Sequence, residues 1–421
     1  MANFFRAGPR SRSLVASRLA LAAVLAIIPT VQASPIGFEQ ALQLAEQRSA
    51  ALAARQATAD GAQQARTAAG QLPDPKLAVG VENFPVSGPD RFSWNRESMT
   101  MRRVGVMQDV PNAAKRAAQR EAAGAKAERE RSMLETERLA VRREAALAWL
   151  SLHFAEKKLA AFGALELQNR LLQDTLAARV TSGAASPSEA LMARQDALDL
   201  ADRRDELLAG VEQARALLKR WTGDQPDLSA DGEAPDLQPD LSRLLGDLDR
   251  HVDLRAFTPM LAMAQADVDE ARAMRQGDWG WEVAYANRAR AFGDMVSFQL
   301  TFELPVSKAT RQEPVIASRQ KEVERLQAER DDALRRVRAE VDAQVAELQR
   351  LERALQRQQS QTLPLAQERA QVTLASYQTG RADLGAVLAA RKNAIEAQLR
   401  ALDLQSQVSA QQARLSHLIA E

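Results

Sequence analysis

Side chains able to do covalent or metal chemistry are few and scattered. The 421 residues contain no cysteine and three histidines, His153, His251 and His417. None has a second imidazole or a thiolate at ligand spacing, so neither a zinc centre nor a catalytic triad is supported. A partly buried histidine without a ligand role is the plainer reading of each. No Gly-x-Ser-x-Gly elbow occurs, and no glycine-rich phosphate loop follows a strand pattern. The sequence predicts no enzyme and no cofactor. Methionine thioethers suit a soft cation such as Cu(I). Met99, Met101 and Met107 could line a path and Met260 and Met263 could share a helix face, although methionine equally fills apolar gaps.

The charged residues around two glycines are more suggestive. Ser182-Gly183 and Thr379-Gly380 each end a long helical pattern, with Glu189 after the first glycine and Tyr377, Arg381 and Asp383 around the second. If the two reversals lie side by side, carboxylates, a guanidinium and a phenol meet across helix ends. One such exposed pair is worth less than about 1 kcal/mol, and a symmetric ring of them more. Gly183, Glu189, Tyr377, Gly380, Arg381 and Asp383 are therefore the candidate gate, and no metal ligands are assigned.

These residues are held by a pattern that runs through the chain twice. Asn83, Pro111, Gly183, Leu191, Ala193 and Arg194 have counterparts in Asn287, Pro305, Gly380, Leu388, Ala390 and Arg391, about 200 residues further on, the mark of a duplicated unit. The first repeat spans 34–222: a helix from about Gly37 to Ala69, strands at about 77–87 and 98–110, a long helix at about 113–180 and a return helix at 187–221. A connector rich in Asp, Gly and Pro covers 223–252. The second repeat spans 253–421: a helix, strands at about 279–288 and 295–304, a long helix at about 313–378 and a return helix at 384–419. Each long helix would extend on the order of 100 Å. Leu134, Val141, Ala145, Ala148 and Leu152, with Trp149 beside them, mark a coiled-coil-like seam. Pro364 should kink the second long helix.

The strand signals are short but ordered. Val296, Phe298, Leu300, Phe302 and Leu304 alternate with Ser297, Gln299, Thr301 and Glu303, and Trp279, Trp281, Val283 and Tyr285 alternate with Gly280, Glu282, Ala284 and Ala286. Leu77, Val79 and Val81 form a weaker counterpart. Ten-residue strands with one apolar face suit a transmembrane β-barrel, and four cannot close one alone. A soluble antiparallel sheet packed on helices has the same period. The aromatic placement and an export signal favour the membrane.

That signal is the first 33 residues. Arg6, Arg10, Arg12 and Arg18 precede the apolar run Leu19–Ile28 and the small-x-small site Val31-Gln32-Ala33, which predicts a signal peptide cleaved after Ala33. Removing four arginines takes the formal charge from +1 to −3. Without cysteine there is no disulfide and no lipid-carrying N-terminal Cys. With 56 basic against 55 acidic residues there is no basic footprint for nucleic acid. Aromatic residues are 4% of the chain, which suits long helices better than one thick core.

Together these features resemble the TolC family of outer-membrane efflux ducts over nearly the whole mature length. The residues that carry the resemblance are Val104-Gly105-Val106-Met107-Gln108-Asp109-Val110-Pro111 before the first long helix, and Leu363-Pro364 through Ala375-Ser376-Tyr377-Gln378-Thr379-Gly380 before the second reversal. The resemblance implies a mainly α fold with a small β part: a homotrimer whose protomers each give four strands to one 12-stranded barrel set in outer-membrane lipid, continued by a periplasmic α-helical barrel. It implies a periplasmic adaptor (membrane fusion protein) and an inner-membrane pump of the RND type as partners, and a gate at the periplasmic tips. There Glu189 falls where some members carry an acidic latch residue, Tyr377 matches a tip tyrosine, and Arg381 lies one position from the usual arginine. Leu72-Pro73-Asp74-Pro75-Lys76-Leu77, Phe84-Pro85 and Met99-Thr100-Met101-Arg102-Arg103 are most similar to the heavy-metal branch, which implies export of metal cations. Drug or protein export is the alternative within the family, and a periplasmic coiled-coil adaptor the alternative outside it.

Overall fold

The computed structural model describes residues 34–183 and 185–418. The expected signal peptide, with its cleavage point after Ala33, lies outside the described residues. The chain is mainly helical with a small β part. Its elements are β1 (Ser34–Ile36), α1 (Phe38–Arg48), α2 (Ala50–Ala68), β2 (Lys76–Glu82), β3 (Met101–Val110), α3 (Ala113–Thr181), α4 (Pro187–Thr222) and β4 (Leu228–Ala230). There follow α5 (Leu241–Gly246), α6 (Val252–Arg255), α7 (Phe257–Ala273), β5 (Trp279–Asn287), β6 (Met295–Phe302), α8 (Glu313–Arg357), α9 (Leu363–Gln378) and α10 (Leu384–Ser416).

At 69 residues, α3 runs unbroken for about 100 Å. Asn112 starts it, its side chain accepting from the Lys115 amide at 2.8 Å, which satisfies one of the free donors of the first turn. Two helices depart from the sequence reading. The pattern from Gly37 to Ala69 breaks at Ser49, whose ψ of 110° leaves the helical region while its hydroxyl caps α2 through the Leu52 amide. A serine mid-pattern competes locally for backbone donors. The pattern from 313 to 378 is interrupted by a π turn at Gln358–Thr362 between α8 and α9. Pro364 lacks an amide hydrogen and its ring would strike the Ser360 carbonyl in a regular α turn, so the wider turn absorbs the misfit. The same device, a π turn at Lys308–Gln312, precedes Pro314.

Strand ends also differ. The strand expected to reach residue 87 stops at Glu82 because Asn83 adopts φ 54°, and β3 begins at Met101 rather than 98. The connector is not wholly irregular: β4 pairs in parallel with β1, and α5 and α6 follow. The return helix expected to 419 ends at Ser416.

The central core surrounds Trp149, which is fully buried with Val141, Ala145, Leu152, Leu42 and Leu218. Its indole donates to the Ile36 carbonyl at 2.8 Å, and Phe38 packs edge-on at 5.4 Å. A second core joins Val337, Val341 and Leu348 of α8 to Leu404, Val408 and Leu415 of α10. Both clusters lie midway along the long helices, clamping them where the short elements gather.

Candidate functional site: helix reversals and strand faces

Both reversals turn on a glycine in the left-handed region, Gly183 at φ 73° and Gly380 at φ 74°. At the second, the Gly380 amide donates to the Tyr377 carbonyl at 3.0 Å and the Arg381 amide to the Ser376 carbonyl at 2.8 Å. This closes the last turn of α9 with the αL residue that glycine tolerates best.

The two reversals lie side by side. Tyr377 of α9 is buried among Leu176 of α3, Ala193 of α4, and Leu384 and Val387 of α10. Its hydroxyl donates to Glu189 Oε1 at 3.4 Å, and the Arg179 guanidinium stands 5.1 Å over its ring. Burial, then the Glu189 carboxylate, push the phenol above its ordinary pKa against the opposing pull of Arg179, so it stays neutral and donates. The second Glu189 oxygen accepts the Ser186 amide at 2.8 Å while Ser186 Oγ accepts the Glu189 amide, a capping box that starts α4. Asp383 caps α10 through the Ala386 amide at 2.6 Å.

The structure thus brings Glu189 and Tyr377 together and leaves Asp383 and Arg381 outside the contact. Asp383 serves its own helix, and the exposed Arg381 acts through its backbone. The cation on Tyr377 is Arg179, which the sequence reading passed over. Its place one turn before Gly183, where a cation complements a helix C-terminus, was the available signal. Deeper between α3, α4 and α10, Asn169 donates to Asp196 at 3.1 Å. Burial raises the Asp196 carboxyl, with Asp199 adding to the effect and Lys392 and Arg391 opposing it.

At the other end, β2, β3, β5 and β6 form one antiparallel sheet in that order. The register opposes Ala78, Gly105, Ala284 and Ser297 across it. Side chains alternate, so one face carries Lys76, Glu82, Arg103, Asp109, Glu282, Gln299 and Thr301. The other carries Leu77, Val79, Val81, Val104, Val106, Val283, Val296, Phe298, Leu300 and Phe302. On the polar face Arg103 bridges Glu82 at 2.5 Å and Glu282 at 2.7 Å, and Lys76 pairs with Asp109 at 2.7 Å. The apolar face is exposed. Trp279 and Trp281 lie at its helix-proximal end and Tyr285 near its far end, about 20 Å along the strand. Nothing among the described residues pairs with the outer edges of β2 and β6.

The remaining candidates stand apart. Met101 and Met107 share the polar face, Met99 is exposed in the loop before β3, and Met260 and Met263 are half-buried on α7. His153 is buried and stacked on Trp149 at 4.9 Å, its pKa lowered to about 4 by burial and by Lys157. The His251 ring accepts the Asp253 amide at the start of α6, and His417 Nδ1 lies 2.7 Å from the Ala413 carbonyl. No group of three or more His, Cys, Asp or Glu among the described residues could hold a metal ion.

Solved outer-membrane proteins share this arrangement of long helical hairpins and a four-stranded sheet. CusC, described in a study of its folding and transmembrane channel formation, aligns over 91% of this chain and 92% of its own with a TM-score of 0.75 at 15% identity. The outer membrane protein VceC of Vibrio cholerae aligns over 90% and 95%, TM-score 0.74, at 19% identity. The open state of the MtrE outer membrane channel of Neisseria gonorrhoeae aligns over 90% and 88%, TM-score 0.71, at 15% identity. The fold is that of the TolC-family outer-membrane channels. No protein-family model matches the sequence, and no curated protein matches it.

Proposed function

We propose that the chain is one protomer of a homotrimeric outer-membrane exit duct. Its four strands complete a 12-stranded barrel with two further copies, and its helices form a periplasmic tunnel gated at the reversals. The observation that carries this reading is the sheet: an exposed apolar face with aromatic residues toward both ends, a polar face with paired charges, and two open edges. An open edge cannot face lipid, because unpaired backbone groups have no partner there. Pairing β6 of one copy with β2 of the next removes both edges. Leu191 and Leu198 on α4 and Leu365 and Val372 on α9 are exposed at seven-residue steps, which supports neighbouring helices covering them. The recurrence of two strands, a long helix and a return helix in each half supports an internal duplication with boundaries near residues 222 and 253.

In this reading the protein is passive. A periplasmic adaptor and an RND-type inner-membrane pump drive export, and the contact among Glu189, Tyr377 and Arg179 helps hold the tips closed. Gly183, Gly380, Arg381 and Asp383 shape the turns. The cargo we assign is heavy-metal cations, on the sequence similarity of the first strand region; drug or protein export is the alternative. Cell fractionation with detergent extraction and size determination tests the duct, with a trimer in the outer membrane expected. A periplasmic monomer extracted without detergent overturns it and restores the coiled-coil adaptor reading. Sensitivity of a deletion strain to copper, silver, cobalt, zinc and cadmium, against a drug panel, tests the cargo.

A further inference from the structure

The sheet end farthest from the helices carries a cluster of arginines. Two connections meet there, residues 83–100 between β2 and β3 and residues 288–294 between β5 and β6. Asn83 Nδ2 donates to the Met99 carbonyl at 3.3 Å and closes the first connection on itself, and Arg288 Nη1 donates to the Ser98 carbonyl at 3.5 Å, joining the second connection to the first. With the adjacent strand end they hold five arginines, Arg91, Arg96, Arg102, Arg288 and Arg290, against three carboxylates, Asp90, Glu97 and Asp294.

Two of the carboxylates are already engaged. Asp294 accepts from Tyr285, from Asn287 Nδ2 at 2.9 Å and from the Arg288 amide at 3.2 Å, and Glu97 accepts the Met99 amide at 3.2 Å. Arg288 donates to the Phe292 and Gly293 carbonyls. Arg91, Arg96, Arg102 and Arg290 are exposed and form no ion pair among the described residues, whereas arginines on the long helices commonly pair one turn away, as Arg325 does with Glu322 and Arg350 with Glu347. Two of the free guanidiniums rest on aromatic rings, Arg102 5.5 Å over Trp94 and Arg91 5.2 Å over Phe92. Both rings are themselves exposed, and Trp94 packs against Phe84 with the rings tilted at 49° and 4.7 Å apart. Arg102 is the one cation on the mainly apolar face of the four described strands, a face that also carries Gln108 and Asn287, and it lies at the far end of β3.

An arginine at the rim of a lipid-facing surface, lying on an amphipathic ring, is placed at the depth of headgroup phosphates. A guanidinium meets a phosphate with two parallel hydrogen bonds. Resting on the duct reading, in which this end faces outward, we propose that the rim formed by Arg91, Arg102, Arg290 and Trp94 binds the phosphates of anionic glycolipid in the outer leaflet. The sheet is thereby anchored in a bilayer whose outer headgroups are phosphorylated sugars.

The test is binding of bis-phosphorylated lipid A, mono-phosphorylated lipid A and phosphatidylcholine to the full-length protein in mild detergent, read by native mass spectrometry. Each arginine near a charged headgroup is worth roughly fivefold. The triple variant Arg91→Gln/Arg102→Gln/Arg290→Gln should therefore bind the bis-phosphorylated lipid on the order of a hundredfold more weakly, and the wild type should bind the three lipids in descending order. Arg102→Lys keeps the charge and should retain binding within a few fold. Arg325→Gln on α8 controls for loss of charge elsewhere. Equal binding of phosphatidylcholine by the wild type, or undiminished binding by the triple variant, overturns the proposal and leaves the duct standing if the protein still fractionates with the outer membrane. Absence of the wild type from that membrane overturns both. If the triple variant fails to assemble, the wild-type lipid series decides alone.

Discussion

Tyr377 should act at the helix tips through its ring far more than through its hydroxyl. The bond to Glu189 is long, 3.4 Å, and Glu189 keeps its capping partner Ser186 at 2.8 Å when the phenol is gone. Removing the hydroxyl with Tyr377→Phe should therefore cost about 0.5–1 kcal/mol. The ring is different: it is 8% exposed, packed on Leu176, Leu384 and Val387 and covered by Arg179 at 5.1 Å. Tyr377→Ala should lose about 3–5 kcal/mol of local stability through transfer and cavity terms together. Arg179→Gln, which removes the cation from the ring, should cost about 0.5–1 kcal/mol. Hydrogen exchange of amides in α9 and the first turns of α4, on detergent-solubilised protein, reads these values as opening free energies. Exchange should accelerate about fivefold or less in Tyr377→Phe and by about a hundredfold or more in Tyr377→Ala. Channel conductance should rank the variants in the same order. If Phe and Ala accelerate exchange equally, the hydrogen bond holds the reversals together and the packing argument is wrong.

Two further outcomes follow from ionisable side chains. The His153 pKa of about 4 lies below the unfolded value of about 6.5, so stability is full above about pH 6.5 and declines as pH falls toward 4, by about 2 kcal/mol at pH 4.5. His153→Phe, which keeps the stack on Trp149, should flatten that part of the pH dependence of thermal unfolding; a variant that tracks the wild type from pH 7 to 4.5 would refute the assignment. On the polar strand face, Arg103→Leu leaves the carboxylates of Glu82 and Glu282 without their shared cation and should lower the stability of the sheet, with Glu82→Gln/Glu282→Gln restoring most of it. Heat resistance of the assembled protein on gels measures both, and no rescue by the double change would mean the triad is not coupled.

The sequence made the periodic parts of this fold legible because periodicity is a local property. The alternation in β5 and β6 and the apolar repeat through Val141, Ala145 and Leu152 identified strand and helix without knowledge of their neighbours. What escaped were departures set by single residues: the break at Ser49, the π turns ahead of Pro314 and Pro364, and the end of β2 at Asn83. At the tip, the sequence named Glu189 and Tyr377 because both flank a glycine reversal. It assigned Arg381 as the cation because Arg381 is near in sequence, whereas Arg179 is near in space. That choice depends on how α3 and α9 are rotated about their axes, and neither helix pattern contains the answer. The same reasoning explains why the single chain looks incomplete: an apolar sheet face, two open strand edges and exposed Leu191, Leu198, Leu365 and Val372 are each unfavourable in water. In the proposed duct two further copies and a bilayer would cover all of them at once, whereas a soluble sheet would need a protein layer over the apolar face, and the described residues supply none.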